Sequence, residues 1–437
     1  MSLRALLQNY RIEIILFLII LISFGLKFHR LEIPQSYYFD ETYFAFTAQE
    51  MAKGNKLAWQ IPGQEDPAPK DFAYEWTHPP LGKEISALGI ILFGDNTFGW
   101  RFFQALFGVL GTLFIFLLGR NLFNNGVGLI AAFLYTFESF IFVLSRITMV
   151  DIFMANFVLL ASLLVVKYAK SRRTFFLLLA GAFCGAAMSI KWSGVYMAEF
   201  LAGVSFFLIY YFEVYSSDSE GQSYIRSVFN IFPRMILAFV LIPLLIYIAT
   251  YIPFFYFGHS IGDFINLQSS MFGFHGGVTE THPYQSEWWK WPLLLKPIYM
   301  HFEDLGGKYA YIYAVGNPFI WWTGGLFFVL GVVNVIRKES PALIFAVVSV
   351  FAYWLPWALS PRKITFLYHF LPALLFILII SAYFLDYIWR KSKYGKLLVV
   401  IYMLITVGVF IYFYPILSAV PIAPESFGSY IWLESWR

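Results

Sequence analysis

Long apolar runs recur along this chain, each close to the ~20 residues that a helix needs to cross a bilayer core. Eleven of them lie near 12–28, 98–118, 127–145, 148–166, 175–191, 194–212, 228–250, 319–336, 341–359, 365–388 and 397–416. Between them the polar stretches are short, apart from two, 29–97 and 251–318. This pattern predicts an all-α integral membrane bundle of about 11 transmembrane helices. No internal repeat or low-complexity linker interrupts it, so 1–437 reads as one membrane domain without a separate soluble unit. The first run follows Arg4 and Arg11, and no A-x-A-like cleavage site ends it. An uncleaved first span is the expectation.

The short loops set the orientation. With the N-terminus cytoplasmic, the cytoplasmic loops hold Lys167–Arg173 (KYAKSRR), Arg337-Lys338 and Arg390–Lys396 (RKSKYGK). The opposite turns hold only Arg146, Lys191 and Arg362-Lys363. This positive-inside bias predicts a multi-pass protein of the cell membrane, N-terminus in and C-terminus out. Both long segments then lie outside. They contain amphipathic pieces, Glu84–Phe93 (EISALGIILF) and the Trp-rich Glu287–Leu295 (EWWKWPLLL), which read as interfacial helices. Most unusual polar residues fall on the same side. A transporter would instead place polar groups at the midplane of broken, repeated helices.

Composition agrees with the membrane reading: 59% of the 437 residues are hydrophobic and 13% charged, against about a quarter charged in soluble domains. The net charge of +4 includes no basic run interleaved with aromatics, so nucleic acid is set aside. The one cysteine, Cys184, rules out an intrachain disulfide.

Candidate chemistry gathers in a few strings. In Tyr38–Glu41 (YFDE), Asp40 suits the N-cap and Glu41 the first turn of a helix ending near Gly54; held there, Asp40 could also be a general base at the membrane surface. Glu75–Lys83 (EWTHPPLGK) is a stiff turn in which His78 caps or contacts substrate. In Arg146–Asp151 (RITMVD), an ion pair between the two end residues weighs equally with a role in the site. Lys191 in SIKWSG snorkels by default, and Glu138 and Glu199 within spans call for partners. His282–Pro297 and Val315–Trp322 (VGNPFIWW) need no function beyond an aromatic belt. Ser360–Pro372 (SPRKITFLYHFLP) opens the tenth span. Its Arg362 could anchor at the interface, or hold a phosphate with its guanidinium fork, aided by helix N–H groups. No zinc spacing, Walker loop or dinucleotide pattern occurs.

Taken in order, YFDE, HPPLGK, WRFFQALFG, SRITMVD, SIKWSG, PYQSEWWKWP, GNPFIWW and PRKITFLYHFLP resemble the protein O-mannosyltransferase family over about residues 37–385. The resemblance implies a GT-C-type fold and an inverting transfer of a sugar, mannose in the family, from a polyprenyl-phosphate carrier to Ser or Thr hydroxyls of an acceptor protein. It puts the catalytic roles on Asp40 and Glu41, and donor-phosphate binding on Arg362, Arg101 and Lys191. Acceptor or site-shaping roles fall to Glu75, His78, Arg146, Asp151 and His369. Where the family often has an acidic residue two before the HPP histidine, this chain has Trp76, with Glu75 beside it. The segment 251–318 has no room for the β-trefoil of eukaryotic members, so the resemblance is to a prokaryotic type. The resemblance makes a polyprenyl-phosphate sugar the donor substrate, fixes no cofactor and leaves a divalent metal possible. Related folds use a divalent metal at the acidic motif, and nothing in this sequence marks one. Membrane lipid is a necessary partner; the oligomeric state stays open. Two other readings stand beside this one: the same chemistry on a lipid or envelope glycan, and a transporter of lipid-linked sugars.

Overall fold

The computed structural model describes residues 10–61, 68–211, 231–277, 281–337 and 340–437. Arg4 and Lys338, together with the span ends at 212 and 228–230, lie outside the described residues. A helix stands at each of the eleven expected positions. In chain order the first are α1 (Arg11–Phe28), α2 (Glu41–Ala52), α3 (Leu81–Phe93), α4 (Thr97–Leu122), α5 (Asn125–Thr136) and α6 (Ser139–Leu144). They are followed by α7 (Asp151–Ser171), α8 (Thr174–Ile190), α9 (Gly194–Tyr210), α10 (Ile231–Ala249) and α11 (Ile261–Gly277). After a β-hairpin, β1 (Ile298–Asp304) and β2 (Tyr309–Ala314), come α12 (Pro318–Arg337), α13 (Pro341–Trp354), α14 (Leu371–Lys391) and α15 (Gly395–Leu417). Among the described residues seven helices are long and apolar enough to cross a membrane, and α5, α8 and α9 are shorter apolar helices.

Local chemistry explains the boundaries. Asn96 and Asn124 cap α4 and α5 by accepting from Gly99 and Val127 N–H, and Ser340 caps α13 ahead of Pro341. The run expected as one helix over 127–145 is two, α5 and α6. Glu138 sits at the break, and its carboxylate accepts from Ile141 N at 2.6 Å, Asn317 N at 3.0 Å and Trp321 Nε1 at 2.8 Å. Those donors are the partners a buried carboxylate requires; Asn317 and Trp321 lie in the GNPFIWW string, and Ile141 in α6 itself. In α10 the turn Leu237–Leu241 widens to a π-helix just before Pro243, which has no N–H to continue the ladder.

The central helices α7 and α14 are buried almost throughout. The outer helices turn Leu326, Leu404 and Ile411 outward, all more than 60% exposed, as a lipid-facing surface requires. Close backbone approach between α8 and α10 depends on glycine. A Cβ on Gly181 would sit 1.7 Å from Ala238 O, and one on Gly185 would sit 2.7 Å from Pro243 Cα.

The second long segment departs from the all-helical expectation. Helix α11 is present, but Glu287–Leu295 is a single 3₁₀ turn, Trp288–Lys290, that leads into the hairpin. Pro292 and Pro297 deny this stretch a continuous helical ladder. The strands pair antiparallel from Ile298↔Ala314 to Asp304↔Tyr309, with a bulge between Tyr299 and His301. Gly306 and Gly307, at φ +71° and +104°, make the reversal. In the first segment, Glu84–Phe93 lies within α3 as expected.

Candidate active site

One end of the bundle collects almost every polar string. Here both long segments meet the turns α6–α7, α8–α9 and the opening of α14. The organising contact is Glu41 with Arg101, both fully buried. Arg101 Nε and Nη2 grip the two carboxylate oxygens at 2.8 Å each. Its other N–H groups go to the carbonyls of Leu31, Pro34 and Ser36, and its face lies 4.9 Å from the Tyr38 ring centroid. Glu41 also accepts from Thr148 N at 2.9 Å. All five guanidinium donors are therefore used, which leaves Arg101 nothing to offer a phosphate. Glu41 is equally committed. The geometry makes both residues the clamp that fixes the YFDE turn.

Asp40 is left free by that clamp. It occupies the N-cap of α2, yet its side chain makes no capping hydrogen bond. Desolvation pushes its carboxyl up to about 7; Lys191 and Arg362 pull it down, while Asp151 and Glu75 push it up. Those four charges are the ones its carboxyl feels. Lys191 binds Asp151 at 2.9 Å and stands 4.7 Å over the Tyr368 ring. The ion pair weighed for Arg146 with Asp151 does not form. Asp151 pairs with Lys191, and Arg146 caps the end of α1 through the carbonyls of Leu26, Lys27, His29 and Arg30, at 2.7–3.2 Å.

The EWTHPPLGK string folds on itself. Glu75 takes Lys83 on one oxygen, and Thr77 and the His78 Nδ1–H on the other, the last at 2.9 Å. Burial opposes its ionisation, but Lys83 and His78 outweigh this and hold the carboxyl well below its usual range. Glu75 therefore reaches His78 from three residues upstream, where Trp76 cannot. His369 accepts from Phe366 N at 3.1 Å and stacks on Trp291, so it braces the start of α14.

Beside this cluster lies a cavity of about 750 Å³. His78, Lys191, His275 and Arg362 line one part, and Phe239, Val240, Pro243 and Leu244 of α10 another. Arg362 spends its Nε on Ile364 O at 2.9 Å, and its Nη groups have no partner among the described residues. Tyr368, His275 and Gln268 were not singled out from the sequence. Tyr368 stood unremarked within a quoted string, and the only trace of the other two was their seven-residue spacing on α11. A divalent cation does not fit this donor set. Glu41 is taken by Arg101, Asp151 by Lys191 and Glu75 by Lys83. Among the described residues no group of three His, Cys, Asp or Glu is placed to hold a metal.

A helical membrane bundle with a buried acid and paired cations beside a half-apolar cavity defines the lipid-phosphate-sugar transferases as a class. The sequence matches dolichyl-phosphate-mannose-protein mannosyltransferase over residues 17–256, and the C-terminal four TMM region of protein-O-mannosyltransferase over 260–436. The chain belongs to the protein O-mannosyltransferase family. The polyprenol-phosphate-mannose--protein mannosyltransferase of Mycobacterium tuberculosis is 28% identical, over 82% of this chain and 81% of that one. Its counterpart in Corynebacterium glutamicum is 26% identical over the same shares. The fold is that of the S. cerevisiae protein O-mannosyltransferase Pmt1-Pmt2 complex bound to the sugar donor. There the TM-score is 0.82 at 15% identity, covering 98% of this chain and 93% of that one.

Proposed function

We propose that this protein transfers mannose from a polyprenyl-phosphate carrier to Ser or Thr hydroxyls of proteins, with inversion, on the non-cytoplasmic face of the membrane. The observation that carries this is Asp40, a carboxylate without a capping hydrogen bond that feels Lys191 and Arg362, two cations lining a cavity with an apolar wall. The names of the relatives support the sugar, carrier and acceptor class.

Lys191 and Arg362 would face the carrier phosphate, with the isoprenoid along α10. The acceptor oxygen attacks the anomeric carbon as the bond from that carbon to the phosphate oxygen breaks. Asp40 takes the hydroxyl proton, and the electron pair leaves on polyprenyl phosphate, stabilised by the two cations. Glu41 and Arg101 serve as positioning residues for Asp40, and Glu75 does so for His78. The N-terminus is cytoplasmic and the C-terminus outside.

The test uses the protein in lipid with polyprenyl-phosphate-mannose and a Ser/Thr-rich peptide, read by intact mass. Wild type should add a hexose, and Asp40→Asn should be slower by about 10²–10⁴-fold, the worth of a positioned base. Near-normal turnover of Asp40→Asn removes the assignment. Donor consumed without peptide gain points to the envelope-glycan reading, and untouched donor to transport.

A further inference from the structure

Three buried polar atoms of residues lining the cavity have no hydrogen-bond partner: His78 Nε2, His275 Nδ1 and Gln268 Nε2. Their chemical character follows from the bonds their residues do make. His78 Nδ1 lies 2.9 Å from Glu75 Oε1, and a carboxylate only accepts, so Nδ1 holds the hydrogen and Nε2 is a lone pair. His275 Nε2 lies 2.8 Å from Thr77 O, so there Nε2 holds the hydrogen and Nδ1 is the lone pair. Trp192 donates to Tyr247, and Tyr247 passes its own hydrogen to Gln268 Oε1 at 2.6 Å. This orients the amide, whose NH₂ then lies toward Tyr251 without a hydrogen bond of full geometry. Burial holds both imidazoles down, to about 4 for His78 against the opposing pull of Glu75 and to about 3 for His275, with Lys191 and Arg362 adding to the effect in each. Both are neutral acceptors at neutral pH.

Among the described residues, the side chains lining the cavity thus include two imidazole lone pairs and an amide N–H without a hydrogen-bond partner, beside Lys191 and Arg362. A phosphate oxygen can serve the cations but has no hydrogen for an imidazole lone pair. An isoprenoid offers neither donor nor acceptor. A hydroxyl does both: it gives its hydrogen to nitrogen and accepts from an amide. We propose that His78, His275 and Gln268 form the subsite that reads the hydroxyl groups of the transferred sugar. His275 and Gln268 stand seven residues apart on α11, two turns along one face, while Ile261 and Ile265 of the same helix are exposed. Helix α11 is then a sugar-recognition element carried by the second long segment. The inference rests on the mannosyl-transfer reading above.

The test measures binding and transfer for wild type, His275→Phe and Gln268→Leu in lipid nanodiscs. Binding is compared for polyprenyl-phosphate-mannose and for bare polyprenyl phosphate. Both variants should bind the sugar-bearing lipid more weakly by roughly 10- to 100-fold, the worth of a buried hydrogen bond lost. They should bind bare polyprenyl phosphate like wild type, which also reports intact folding. With donors deoxygenated at single ring positions, wild type should reject at least one strongly. The matching variant should lose that discrimination. Equal weakening for both lipids, unchanged binding of the sugar-bearing lipid, or an unaltered mannose-to-deoxy ratio overturns the subsite. If wild type binds the mannosyl lipid but transfers nothing to peptide, the acceptor reading fails while the binding comparison still decides the subsite.

Discussion

Asp40 and Glu41 are neighbours in sequence and opposites in situation. Glu41 is buried and saturated by Arg101 and Thr148 N–H, whereas Asp40 caps no N–H and stands among Lys191, Arg362, Asp151 and Glu75. Only the second arrangement leaves a carboxylate for the proposed role of base. Because desolvation raises its carboxyl to about 7, turnover should climb with pH through that value, as acceptor deprotonation needs the ionised form. A pH profile of kcat in lipid checks this, and a flat profile between 5.5 and 8.5 (about three units around the expected midpoint) argues against Asp40 as the base. The effect on stability has the opposite sign. A carboxyl whose folded pKa is raised binds its proton more tightly when folded, so its stabilisation is complete at low pH and is lost as pH rises from about 4 through about 7. The pair YFDE was legible in the sequence as both cap and base. Which of the two acids stayed free was not, because that depends on Arg101, 60 positions away.

The elements matter through what they hold together. Arg101 belongs to α4, Glu41 to α2, and the three carbonyls to the strand of chain leaving α1, so one guanidinium joins three elements. Removing one partner strands a buried charge. Arg101→Leu should cost about 3–5 kcal/mol of stability, measured by denaturation in detergent. Should that variant prove as stable as wild type but weaker only in donor KM, Arg101 is a phosphate ligand after all. Element existence was largely readable, since apolar length is enough to mark a span. The exceptions are instructive. The break at Glu138 required partners from GNPFIWW, and Glu287–Leu295, expected as an interfacial helix, is only a 3₁₀ turn ahead of the β1–β2 hairpin, because Pro292 and Pro297 interrupt a helical ladder. Aromatic content alone could not tell a belt helix from a strand ladder.

At the scale of the whole molecule, the polar strings converge at one end and the basic loops lie at the other. Cysteine labelling tests the orientation directly, with little background, because the native Cys184 is buried. With cysteine at Ser429 or Ser171, both exposed, a membrane-impermeant maleimide should reach the first from outside intact cells. The second should react only after permeabilisation. The reverse pattern would invert the topology and put Asp40 on the cytoplasmic side.

From sequence alone came the membrane class, the approximate span count and the strings that resemble one family, because hydrophobic length and local residue order are properties of the chain itself. Tertiary structure alone decided which partner each polar group meets: Arg101 on Glu41, Lys191 on Asp151 at the edge of the cavity, Arg146 on the end of α1, and His275 and Gln268 among the residues lining the cavity. Each of those choices joins residues far apart in sequence, and in a low-dielectric interior a polar group's role is set by the partner it finds.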